Sequence, residues 1–171
     1  MNLAHLHLIL VHFPVVGSVA ALGLLVRAYF VRSRESFSVA AIATLLVTLT
    51  AIGAFATGEG AEHILEKIGT SESAIESHEA AAYAALVSVL FAGFLAIVLV
   101  VGLWIDRMER VSVLARHGLL IALVVSVCLI GVAAQRGGAI RHTEVSVSSA
   151  VVQPSDTQAA DTAKGAETDD D

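Results

Sequence analysis

The chain has 171 residues, of which 56% are hydrophobic and 15% charged, and its formal net charge is −6. Soluble domains are about half apolar and about a quarter charged, so this composition points to a lipid bilayer, and the acidic balance argues against a nucleic-acid partner. The lone cysteine, Cys128, excludes an internal disulfide and the CxxCH attachment of a c-type haem.

Crossing the hydrocarbon core takes about 20 apolar residues, and four runs of that size are predicted. The first extends from Phe13 to Val31. Met1 to Gly23 is apolar and rich in small residues, as a signal peptide would be, but no Lys or Arg precedes Arg27, so the segment reads as a retained first helix. Pro14 opens this span, where a missing N–H costs little, and Arg27 near its end can snorkel to the interface. The second span is Val39 to Thr57, after a link carrying Arg32 and Arg34.

The next link holds Glu59, Glu62, Glu66, Glu72, Glu76 and Glu79 against only Lys67. Within it Ala61, Ile64, Leu65 and Ile68 recur at helical spacing, which predicts a short amphipathic helix along the membrane surface. Ser73 and Glu76 stand at capping-box spacing ahead of the third span, Ala80 to Ile105. Arg107, Arg110 and Arg116 surround the link to the fourth span, Val113 to Ala134. The paired Gly137 and Gly138 then predict a turn that returns His142 over the helix ends. The membrane domain is expected over residues 1–145 and a disordered acidic tail over 146–171, where Gln153 to Asp171 has no large apolar side chain to offset chain entropy.

Positive charge marks the cytoplasmic turns. The arginine-bearing links are therefore inside, the acidic link and both termini outside, and the expectation is an all-α integral membrane protein, a four-helix bundle of the bacterial inner membrane. Small residues recur at Ala84, Ser88, Ala92 and Ala96 in the third span, at Gly118, Ala122 and Ser126 in the fourth, and at Gly17, Ala20, Ala21 and Gly23 in the first. Such stripes serve close helix packing in membrane bundles generally, and a slim side also leaves room for a flat cofactor.

This topology collects His5, His7, His12, His63, His78 and His142 into one exterior layer and leaves only His117 inside. An imidazole there is a ready ligand for haem iron or a transition metal. His12, in Val-His-Phe-Pro at the mouth of the first helix, serves either as a ligand or in a structural hydrogen bond. His78 opens the third helix near the depth of Tyr83. His7 lies about 140° from His12 on a continuous helix, so the two share one ion only if the chain bends. His142 reaches the layer if the glycine turn forms. His5, His63 and His117 read as ordinary interfacial histidines.

His7-Leu-Ile-Leu-Val-His12-Phe-Pro14, Thr57-Gly58, His78 and Gly137-Gly138-Ala-Ile-Arg-His142 together resemble a bacterial family of predicted membrane proteins, domain-of-unknown-function family 2231, over about the first 145 residues. Leu8 departs from the proline usual after the first histidine of its opening motif. The resemblance implies no established activity, but a likeness to haem-binding membrane modules and an association with cytochrome-like partners.

The leading expectation is a small electron-transfer subunit holding haem b, with His12 and His78 as axial ligands and His7 and His142 as the other candidates. Glu59 or Glu79 would fix one ring, and Tyr83 would meet a propionate or water. Its partners would be a periplasmic cytochrome, a quinone or a larger membrane complex. The alternative is a non-enzymatic structural or metal-binding subunit, although His63 with Glu59 or Glu62 fits no tight zinc pattern. A transporter is disfavoured because no span carries an acid-base relay or a broken middle. No nucleophile–histidine arrangement or phosphate loop points to a stand-alone enzyme.

Overall fold

A computed structural model describes the backbone of residues 3–67, 71–105 and 108–151, and the side chains of 5–58, 60, 71–105 and 108–139. These residues form five helices: α1 Leu3–Leu10, α2 His12–Val31, α3 Arg34–Lys67, α4 Glu72–Trp104 and α5 Glu109–Val151. There is no strand among the described residues. Four stretches, with α1 and α2 counted as one, are long and apolar enough to cross a membrane. The protein is thus a multi-pass helical membrane protein by the length and composition of its helices, as the four apolar runs predict.

Each helix outruns the apolar run that announced it, because polar residues at either end continue the backbone pattern at no cost in water. The first span begins at Leu3, so Pro14 falls inside it. Without an N–H, Pro14 cannot pair with the Leu10 carbonyl, and its ring crowds that carbonyl. The helix is interrupted at Val11, between α1 and α2. Pro14 thus stands in the first turn of α2, as expected of an opening residue, with α1 ahead of it.

α2 ends where Arg32 turns left-handed at φ 55° and its N–H bonds the Ala28 carbonyl at 2.8 Å. Ser33 then caps α3, its Oγ accepting the Ser36 N–H at 3.1 Å, with Glu35 in the first turn facing the positive helix end. α3 runs 34 residues without a break, so the surface helix expected over Ala61 to Ile68 is, through Lys67, the last turns of α3. α4 begins at Glu72 after Ser71 in the cap position, which places Ser73 inside the helix and removes the expected Ser73–Glu76 box. α5 passes straight through Gly137 and Gly138 to Val151, so the predicted turn is absent and the helix crosses the expected boundary at 145. A helix tolerates two glycines at about 1 kcal/mol each when its flanks are well packed. Gln153 to Asp171 lie outside the described residues.

α4 packs most extensively on α5, α2 and α4 each pack on α3, α1 also lies on α3, and α2 touches α5 to close the bundle. The core is made of small side chains. Ala21 and Ala28 of α2, Ala40, Ala41 and Thr44 of α3, and Ala92 and Ala96 of α4 are fully buried. In lipid the hydrophobic effect does not draw helices together, and close approach of backbones replaces it. The tightest approach joins α3 to α4, where a Cβ on Gly93 would stand 2.6 Å from the Thr48 hydroxyl. The α4 stripe is offset from the expected one: Ala81 and Ala85 are buried beside Ala92 and Ala96, whereas Ala84 is exposed. In α2, Ala20 and Gly23 face outward. In α5, Ala122 and Ser126 are buried as expected.

Candidate functional site

His7 and His12, five residues apart, point to different sides of the first span. His7 is half-buried against α3, where its Nδ1–H donates to the Ala54 carbonyl at 2.9 Å and lies 3.3 Å from the Thr57 hydroxyl oxygen. A carbonyl only accepts, so Nδ1 carries a proton. The Thr57 hydroxyl is itself spent on the Gly53 and Ala54 carbonyls at 3.0 and 2.9 Å. The ring rests beside Gly58, whose absent Cβ would lie 3.6 Å from Cε1.

His78 repeats this arrangement in the other half of the bundle. Its Nδ1–H donates to the Ala133 carbonyl of α5 at 3.0 Å, and its ring lies over Gly137. A Cβ there would stand 3.0 Å from Cε1 and 3.2 Å from Nδ1, so glycine is what lets the imidazole settle against the helix. Each glycine follows its acceptor alanine by four residues, Ala54 to Gly58 and Ala133 to Gly137, one helical turn apart on the same face. Two helix pairs thus receive a histidine in the same way, at the same end of the bundle. The outcome is two imidazoles on separate helices, each fixed at Nδ1 and with no Nε2 partner among the described residues.

Arg136, two turns past the middle of this end of α5, donates through Nη1 to the Ser77 carbonyl at 2.8 Å. It adds a cation beside His78 that the sequence reading did not single out. The two Ala-x-x-x-Gly pairs near helix ends were a legible signal for the docking sites, since small residues at that spacing open a groove.

The remaining candidates are placed otherwise. His12 is exposed, and its Nδ1–H turns back to the Leu8 carbonyl of its own chain at 2.7 Å, beside the outward Phe13 and Val16. His7 and His78 are thus each docked on a neighbouring helix, whereas His12 is bonded within its own chain segment. Tyr83 is 62% exposed and its ring faces Phe55 at 6.5 Å. Glu79 is exposed; backbone carbonyls and not carboxylates fix the two rings. The side chains of Glu59, Glu62, His63 and His142 lie outside the described residues. His5 is exposed, and His117, at the opposite end, donates to its own helix at Val113. Cys128 is exposed on α5. No group of three or more His, Cys, Asp or Glu gathers among the described residues. No family model matches the chain, and no curated protein or solved structure is similar to it.

Proposed function

We propose that the protein is a small subunit of the bacterial inner membrane that holds haem b between His7 and His78 and serves electron transfer. The observation that carries this reading is the shared setting of the two imidazoles, each with Nδ1–H given to a helix carbonyl and with no Nε2 partner among the described residues. Metal-bound histidines are held in this way, the outer hydrogen bond fixing ring orientation and tautomer. Haem iron asks the protein for only two axial ligands, whereas zinc asks for three or four. A site offering a histidine pair and no larger donor group suits the former. When bound, the haem would supply one-electron chemistry.

The chain's own residues would do the rest. Ala54 and Ala133 hold the rings, Gly58 and Gly137 admit them close to α3 and α5, and Arg136 offers a cation to a propionate. On the arginine distribution this end faces the exterior, with both termini outside. A periplasmic cytochrome, a quinone or a larger membrane complex is then the natural exchange partner. Reduction of the purified protein with dithionite tests the reading: a b-type α-band is expected. Absence of a Soret band, before and after haem is added, would overturn it.

A second reading rests on the same two hydrogen bonds. They tie α1 to α3 and α4 to α5, so the histidines also suit a structural subunit that carries no cofactor and packs beside larger partners.

A further inference from the structure

A second group of side chains occupies the opposite, arginine-bearing end, and the histidine pair makes no use of it. Tyr29, near the end of α2, meets Phe37 of α3 edge-on with centroids 5.4 Å apart, and meets His117 of α5 at 5.6 Å. The Arg116 guanidinium sits 4.3 Å from the Phe37 ring centre. These contacts fix Arg116 and Tyr29 in place, and Arg116 is near enough to act electrostatically on the phenol.

Both nevertheless end in unmet donors. The Tyr29 hydroxyl oxygen and Arg116 Nε are buried, and neither has a hydrogen-bond partner among the described residues. A guanidinium can only donate, and a phenol carries one O–H to give. Buried donors without acceptors are costly and rare in native proteins, and the described residues offer these two none, which suits a group from outside the chain. The described carboxylates at this end, Glu35 and Glu109, are exposed, whereas Arg27, Arg32 and Arg110 add positive charge around the site. An arginine-bearing end of a membrane bundle suits an anionic headgroup, and arginine's planar fork suits phosphate oxygens.

We propose that Tyr29 and Arg116 form a binding site for the phosphate group of an anionic lipid. The ring packing of Phe37 and His117 positions both donors. The site is independent of haem and stands or falls apart from it.

Native mass spectrometry of the full chain, released from detergent micelles containing phosphatidylglycerol or phosphatidylcholine, tests the proposal. Retention of phosphatidylglycerol is expected to exceed that of phosphatidylcholine by about tenfold, because the two share the phosphate but the arginines at this end repel the choline cation. Tyr29→Phe, which keeps the ring, and Arg116→Lys, which keeps the charge but loses the fork, should each weaken retention by about tenfold. Arg110→Lys should leave it unchanged. Equal retention of the two lipids, or wild-type retention in the Tyr29→Phe/Arg116→Lys double variant, would overturn the proposal. Added inorganic phosphate should not displace the lipid; displacement would hand the site to a free anion.

Unfolding of the delipidated variants guards against an internal partner. Tyr29→Phe should cost no stability there, because the hydroxyl has no acceptor to lose. A double-mutant cycle between Asp106 and Arg116 should show no coupling. Marked loss in the first, or strong coupling in the second, would mean that the chain satisfies its own donors and would refute the site.

Discussion

Gly137 lies so close beneath the His78 imidazole that any Cβ at that position would intrude on the ring, 3.0 Å from Cε1. The same ring is held to α5 by its 3.0 Å bond to Ala133, so the glycine and the hydrogen bond act as one docking device.

Gly137→Ala should therefore push His78 away and weaken that bond. Alanine gains about 1 kcal/mol of helix propensity, but overpacking costs about 1–3 kcal/mol, and the balance falls on the destabilising side. Gly138→Ala, one residue on with nothing within 4 Å, is the matched control and should stabilise the protein. Unfolding midpoints in detergent compare the two. A Gly137→Ala midpoint as high as that of Gly138→Ala would show that the ring can move freely.

The α3–α4 contact makes a harsher demand. Thr48 donates to the Thr44 carbonyl at 2.9 Å and approaches the Val89 carbonyl at 3.3 Å, directly against Gly93. Gly93→Ala should cost about 2 kcal/mol or more. Thr48→Ala alone should cost only about 0.6 kcal/mol, the usual size of an interhelical hydrogen bond in a membrane. Adding Thr48→Ala to Gly93→Ala should recover part of the loss, because it removes the atoms that clash. Purely additive effects in the cycle would deny the contact.

Cys128 sits on the outer face of α5, within the stretch long and apolar enough to cross a membrane. In lipid nanodiscs a charged maleimide should label it slowly, and a membrane-permeant maleimide quickly. The difference should vanish in denaturing detergent. Fast labelling by the charged reagent in nanodiscs would place this part of α5 in water.

The proposed orientation predicts that a reporter fused to the carboxyl terminus is active only outside the cytoplasm. Activity of a cytoplasmic reporter at that position would invert the bundle and put the histidine pair on the inner side.

The four apolar runs gave away the spans because the bilayer demands length and apolarity, which are properties of composition. Rotational phase was harder to read. A membrane helix is apolar toward lipid as well as toward its neighbours, so Leu46 and Leu49 are exposed while Ala40 and Ala41 are buried, and hydropathy does not separate them. That is why the α4 stripe is right at Ala92 and Ala96 but misses Ala81 and Ala85 nearer the start of the helix. His7 and His12 lie about 140° apart around the first span, and only the packing of α1 on α3 shows that His7 meets a neighbouring helix while His12 bonds within its own. The docking of His7 and His78 depends on Ala54, Gly58, Ala133 and Gly137, whose role appears only when α1 meets α3 and α4 meets α5.

Absorption spectra of the dithionite-reduced protein and its histidine variants test the central claim most directly. The wild-type chain should show a b-type α-band with about one iron per protein. His7→Ala and His78→Ala should each abolish the band in protein that remains folded, while His12→Ala should retain it. A band that survives in both His7→Ala and His78→Ala, or no haem absorption in the wild-type protein, would contradict the account.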